Sequence, residues 1–497
     1  MSDNALPILD EQASLRAPSP FLSPVHWPPQ ESQEQPRALR GLARIVDGGL
    51  CHRCGSCVGI CPTRVLGLSE QAYPTIENLS ACTDCDLCVK VCPGDEFHYE
   101  RVGEEMFGAS PDLTDIHGVF QKAVLAYATH SSLRETSTSG GLVTGILLDL
   151  LERGEIDGAV VIASDDEHLW KGKPVIARTE GEILAATKSK YAISPTNAVF
   201  QEILEVPGRY ALVGLPCQIH GYHKACELDA RLKERVVLTI GLFCHAAIEH
   251  EAFEIIWQSL GEKATRAKRF ISRVGKHPGA PHIELEDGSL YPVYFGNRSG
   301  FRPSSMEMIN ILYRLYTPPR CLTCFDALAE FADISVGDPW MAPPDEAIDF
   351  HDGYSFGLLR TDRGKEIFER SVTDGQLVSY ELTEHEARQC NKKMATEKKW
   401  RAFRVIETQR RQGKSLPSYG DPMASFPRHS GLQFLETEGN MLTHILCFLP
   451  RYRASVLRFF LGGGGYWLLW FNNKRRRVKF WLRDSLAKMK RGLYGRK

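Results

Sequence analysis

Two near-identical cysteine runs constrain this chain more than any other feature. The first reads Cys51-x2-Cys54-x2-Cys57-x3-Cys61-Pro62, and the second reads Cys82-x2-Cys85-x2-Cys88-x3-Cys92-Pro93. Two-residue gaps wind a tight loop whose thiolates converge on one cuboidal cluster, and the proline after the fourth cysteine turns the chain away. In this pattern three cysteines of a run bind one 4Fe-4S cluster and the fourth reaches across to the other. Cys51, Cys54, Cys57 and Cys92 are thus expected to hold one cluster, and Cys82, Cys85, Cys88 and Cys61 the second. A zinc site explains a single CxxC pair but not a doubled four-cysteine run. The implied chemistry is electron transfer.

At 497 residues the chain has material for two or three domains. Its composition, 43% hydrophobic and 24% charged, is that of a globular protein. No basic and apolar secretory leader is visible after Met1, and clusters need reduced thiolates, so the expected setting is the cytoplasm. The formal charge of −1 conceals an asymmetry, because Arg451 to Lys497 carries fourteen Lys/Arg against the single acid Asp484. Such a tail suits an anionic membrane surface, at the inner face of the membrane, or an acidic partner protein. No nucleic acid is expected, since the redox body has no use for one. Val456 to Phe471 is too short and too broken by Gly462–Gly465 to cross a membrane. Asn473 to Met489 reads as a basic amphipathic helix, with Trp467, Trp470 and Trp481 suited to the headgroup level.

The expected order is a Pro-rich disordered leader (1–40), a small α+β bacterial-ferredoxin-like domain (41–100), a connector (101–122), an α/β core (123–395) and a C-terminal extension (396–497). The core alternates apolar strands, such as Tyr210–Gly214 and Val236–Phe243, with helices such as Gly140–Arg153. This alternation predicts a largely parallel sheet with flanking helices. A hairpin is expected to turn at Asp287-Gly288.

Four further cysteines fall at strand ends or in a CxxC: Cys217, Cys244, Cys321 and Cys324. Spacing alone leaves them open between a third cluster and ordinary buried thiols. Cys226, Cys390 and Cys447 have no partner at ligand spacing. Ser137-Thr138-Ser139-Gly140-Gly141 opens a helix and suits either a phosphate or an ordinary cap. Lys188-Ser189-Lys190-Tyr191 suits a cofactor's phosphates and ring, or a solvated turn.

Taken in order, the segments at 139–141, 188–191, 214–218, 242–245, 321–324 and 332–340 resemble the family of coenzyme F-420 hydrogenase and dehydrogenase beta subunits. The resemblance covers about residues 41–395. It implies a bound FAD touching Ser137, Thr138, Ser139, Gly140, Gly141, Lys188, Lys190 and Tyr191. It also implies a core 4Fe-4S cluster on Cys217, Cys244, Cys321 and Cys324. The function it implies is a flavin iron–sulfur oxidoreductase passing electrons between coenzyme F-420 and a redox partner protein or subunit. Two alternatives are a ferredoxin-dependent reductase of an organic substrate such as a tetrapyrrole, and a non-catalytic electron relay.

Overall fold

In each cysteine run the backbone turns left-handed on either side of the second cysteine. Arg53 and Gly55 have φ of 57° and 85°, and their counterparts Asp84 and Asp86 have 54° and 62°. One-turn helices Ser56–Gly59 and Leu87–Lys90 follow at the same spacing. The repeat seen in the sequence is therefore a repeat of backbone conformation. These features come from a computed structural model that describes residues 36–275, 278–293, 305–420 and 450–462. The expected leader up to residue 35, the amphipathic stretch Asn473–Met489 and Trp467, Trp470 and Trp481 lie outside the described residues.

The module begins earlier than residue 41. Helix Arg37–Asp47 buries Leu39, Leu42, Ile45 and Val46 against it, and strands β1 (Leu66–Leu68) and β2 (Pro74–Ile76) pair antiparallel between the runs.

The core sheet has eight strands: β3 (Lys122–Ala128), β4 (Gly158–Ser164), β5 (Gly172–Ala177), β6 (Tyr210–Gly214), β7 (Val236–Leu242), β11 (Ile334–Gly337), β12 (Ser355–Leu359) and β13 (Leu377–Leu382). Their order is β13-β3-β12-β11-β7-β6-β4-β5. The four central strands β11, β7, β6 and β4 run parallel. All five residues of β6 are buried, as befits a strand covered on both faces. The rims are antiparallel, so the sheet is mixed. At one rim the cause is plain: β4 and β5 are joined by residues 165–171, too few for a parallel crossover. A second sheet, β8 (Ala267–Val274), β9 (Ala280–Leu285) and β10 (Leu290–Pro292), is antiparallel throughout. Its hairpin turns where expected, with Gly288 at φ 78°.

Module and core share one hydrophobic cluster. Ile60, Val91 and Phe97 from the module meet Phe200, Leu212 and Ile219 from the core. Backbones also touch: a β-carbon on Gly59 would lie 2.0 Å from Asn197 O, and one on Gly55 would lie 2.6 Å from Pro195 O. Asn197 N donates to Cys54 O at 2.9 Å, and its side chain donates to Ser56 Oγ and Gln218 O. Arg53 and Glu249 close the seam with a buried ion pair at 2.7 Å.

Helix Lys392–Arg411 continues through the expected boundary at 395, and its Ala402, Phe403 and Ile406 join that shared cluster. The start of the basic tail is also packed. In helix Pro450–Leu461, Leu457 is buried, and Arg453 pairs with Glu251 and lies over the Tyr316 ring at 4.8 Å. Among the described residues no helix is long and apolar enough to cross a membrane.

Gly59→Ala is expected to destabilise the protein by about 1–3 kcal/mol through overpacking. Gly181→Ala, at a site where a β-carbon meets nothing within 4 Å, is the control and should lose no stability. Denaturant unfolding of the two variants checks this.

Candidate cofactor sites

Twelve cysteines collect into three neighbourhoods. A cavity is lined by Cys51, Cys54, Cys57 and Cys92. Burial pushes the Cys51 thiol up to about 12, and the neighbouring Cys92 and Cys54 push the same way. Cys88 is also pushed up to about 12, by burial and then by Cys61, Cys85 and Cys82. Cys92 thus lies with Cys51, Cys54 and Cys57, and Cys61 neighbours Cys88 together with Cys82 and Cys85. Backbone N–H groups already point at sulfur, from Arg53 to Cys51 at 3.3 Å and from Val65 to Cys61 at 3.4 Å. Such bonds stabilise thiolate charge and help to set cluster potentials.

The third neighbourhood lies at the carboxyl edge of the parallel strands, where α/β folds collect ligands. Cys217 opens helix Pro216–Leu228 just after β6, and Cys244 follows β7. Burial raises the Cys217 thiol strongly, and Cys54, Cys324, Cys244 and Cys321 add to it. Cys54 in that group places the third set beside the first, and Cys57 senses Cys88 of the second. The first set therefore neighbours both the third and the second, and Cys85 of the second set is exposed. Among the described residues no three His, Cys, Asp or Glu converge tightly enough for a single ion. A cuboidal cluster spreads its thiolates around a larger body than one ion. Cys226 and Cys390 have no cysteine among their charged neighbours, and Cys447 lies outside the described residues.

Two cations around the third set are not distinguished by the sequence. Lys398 is 1% exposed and donates to Cys244 O at 2.7 Å and Asp326 O at 2.6 Å. Arg320 is buried beside Cys321. Lys398 sits in a charged run that looks like a solvated helix face. Only its position relative to Cys244, 154 residues away in sequence, reveals its role.

Beyond the third set lies a pocket of positive charge that unites the two expected FAD segments. Lys188 Nζ donates to Ser137 O at 2.9 Å, and Ser189 N donates to Thr138 Oγ1 at 3.1 Å. Lys190 Nζ donates to the carbonyls of Ala186 and Thr187 at 2.7 Å. Burial, then Arg269 and Arg273, lower Lys188 from 10.5 to about 8, while burial and Arg269 lower Lys190 to about 7. Arg273 donates to Tyr191 OH at 2.9 Å and to Asp338 at 2.6 Å, and Ser139 donates to the same carboxylate. Ser137 Oγ is buried without a partner. Burial is the largest cause of both lysine shifts, and the Arg269 guanidinium adds to both and that of Arg273 to Lys188. This is a partly buried cluster of cations, with the carboxylate of Asp338 set against Arg273. An apolar cavity opens behind Tyr191, between Phe253, Phe270, Met308 and Leu312. Tyr313 joins the regions, since Tyr191 and Arg273 of the pocket and Cys244 and Cys321 of the third set all act on it.

Gly140 has a different reason to be glycine. A β-carbon there would lie 2.4 Å from Ala126 O and 2.8 Å from Ser355 N, so the close approach of β3 and β12 demands it. Gly141, at φ 77°, caps helix Leu142–Glu152. Arg269 and Arg273 were missed because they lie in β8, a strand without a clean apolar alternation.

Residues 123–201 match the family model for the N-terminal part of the coenzyme F420 hydrogenase/dehydrogenase beta subunit, and residues 208–385 match the model for its C-terminal part. The chain belongs to this family. Residues 43–104 match a 4Fe-4S dicluster domain. Among relatives, a coenzyme F420-dependent sulfite reductase of Methanocaldococcus jannaschii is 28% identical over 340 residues, covering 66% of this chain and 46% of that protein. A subunit of the F(420)H(2) dehydrogenase of Methanosarcina mazei is 24% identical, covering 66% and 84%. The beta subunit of the coenzyme F420 hydrogenase of Methanothermobacter thermautotrophicus is 24% identical, covering 60% and 99%. The chain thus spans about half of the sulfite reductase and most of the two subunits. The family is one of iron–sulfur oxidoreductases.

The lowered lysines set a pH dependence. Between about pH 7 and pH 10 the unfolded chain keeps protons that folded Lys190 and Lys188 have lost, so stability of the protein without bound anions should rise with pH across that window. Lys190→Met is expected to flatten the lower part of that rise. Anion binding restores the charge, so pyrophosphate should bind more weakly as pH passes upward through 7 to 8. Denaturation and calorimetric titration at several pH values check both.

Proposed function

We propose that this chain is a flavin iron–sulfur oxidoreductase that moves electrons between coenzyme F-420 and a redox partner protein or subunit, with FAD and three 4Fe-4S clusters. The observation that carries the reading is a chain of neighbours: the cationic cluster reaches the third cysteine set through Tyr313, the third set neighbours the first, the first neighbours the second, and Cys85 of the second is exposed. When bound, FAD exchanges one hydride for two single electrons, which is what a hydride carrier and one-electron clusters need between them.

The residues have distinct parts in this reading. Lys188, Lys190 and Arg269 neutralise phosphates, and Ser137, Thr138 and Ser139 line their approach. The free N–H groups of the Leu142–Glu152 helix start add their dipole. Arg273 orients Tyr191 and Asp338, and the cavity behind Tyr191 supplies apolar walls for a ring. Cys217, Cys244, Cys321 and Cys324 hold the inner cluster. Cys51, Cys54, Cys57 and Cys92 hold the middle one, and Cys61, Cys82, Cys85 and Cys88 the outer one. Cys54, Cys92 and Cys324 are buried and no cysteine of the inner and middle sets is exposed, which limits access of water and oxidants, while the exposure of Cys85 gives a partner access. The basic segment 463–497 extends the reading to peripheral contact with an anionic membrane surface. Vesicles with anionic lipid should then retain the protein at low salt and release it at high salt, through a term of about 1 kcal/mol per engaged Lys or Arg.

Anaerobically reconstituted protein should contain about twelve irons per chain, and Cys321→Ser with Cys324→Ser should remove about four. Reduced coenzyme F-420 should bleach the bound flavin, and Lys190→Glu should deplete FAD while leaving iron content unchanged. A flavin that ignores reduced F-420 but is reoxidised by an organic substrate would instead mark a substrate reductase. Protein that takes up no flavin would mark an electron relay.

A further inference from the structure

Arg320 is 2% exposed, and its guanidinium donates to Gly94 O (3.1 Å), Pro93 O (3.5 Å), Thr323 Oγ1 (2.8 Å) and Tyr419 OH (2.9 Å). All four partners are neutral, and among the described residues no carboxylate pairs with it. A buried cation without counter-charge is strongly unfavourable, so the fold keeps it only against negative charge supplied from elsewhere.

Its bonds show where that charge is. Arg320 immediately precedes Cys321 of the third set, and its bonds to Pro93 and Gly94 fall on the two residues after Cys92 of the first. The guanidinium therefore spans the seam between the two sets. Cys54 and Cys92 on one side and Cys324 on the other are the thiols that interact with it. None of the described partners of Arg320 is Cys61, Cys82, Cys85 or Cys88 of the second set.

We propose that Arg320 is an electrostatic bridge between the first and third cluster sites, whose charge raises the reduction potential of both together. The inference rests on the cluster reading given above. Each cluster gains one negative charge on taking up one electron, and a fixed buried cation favours that more reduced form. No bond or proton changes. Arg320 is a positioning residue for charge, shared by two sites that must pass an electron between them without a large step in potential.

The test compares wild type, Arg320→Gln and Arg320→Lys, each anaerobically reconstituted, with iron counted first and potentials then followed by EPR-monitored titration. A wild type that holds no clusters overturns the underlying reading, whatever Arg320 does. With clusters present, Arg320→Gln should lower two potentials and leave the third in place. The expected size is about a tenfold fall in the reduced-to-oxidised ratio at fixed solution potential, or about 59 mV for a one-electron couple. Arg320→Lys should stay close to wild type. Unchanged potentials in Arg320→Gln, or equal shifts in all three clusters, overturn the proposal. If Arg320→Gln loses a cluster, the lysine variant decides. Full iron with near-native potentials supports the charge role, whereas shifted potentials or the same iron loss reduce Arg320 to a loop brace.

Discussion

Backbone-to-backbone contact between the first cysteine run and the strip Pro195–Ala198 is the constraint from which the remaining geometry follows. Gly55 and Gly59 approach carbonyl oxygens at separations that leave no room for a β-carbon. The contact brings Cys54 within reach of Cys217, and it seals Arg53 against Glu249 in the same seam. A module held this way is a fixed arm and not a carrier swinging on a linker. Distances between the first and third cysteine sets are therefore properties of the fold, as rigid as the core that the two parts share.

The second theme is unbalanced charge. Lys188 and Lys190 rest on carbonyl oxygens, and Arg320 rests on carbonyls and hydroxyls. A fold left to stability alone would replace such cations with apolar groups. Keeping them costs stability, and any anion that binds only the folded form beside them recovers part of that cost by mass action. Anion binding and folding should thus be linked in this chain.

How much of this is legible in the sequence depends on distance along the chain. The two cysteine runs are readable because cluster spacing is local, and the crossed grouping of Cys61 and Cys92 follows from the repeat. Strands β6 and β7 are readable because strands buried on both faces are continuous apolar runs. The antiparallel rims are not, since β5 and β13 mix apolar and polar residues without clean alternation. Arg320 and Lys398 are invisible for a related reason. A lone cation, in a charged stretch for Lys398 and after two prolines for Arg320, looks solvated until residues far away in sequence enclose it. Gly140 carries a second constraint that the sequence hides, because a β-carbon there would meet the neighbouring strands.

Divergence between the two copies of the cysteine loop is constrained unevenly. Gly55 is locked twice, by its left-handed φ and by the carbonyl that faces it. Its twin, Asp86, adopts the same backbone but carries a side chain outward, where it meets Arg37. One backbone conformation thus stands in two settings, with one copy walled in and the other left at the surface. The walled copy cannot drift without unseating the module. The surface copy tolerates new side chains while its cysteines stay put, so whatever meets the module from outside can change without disturbing the seam within.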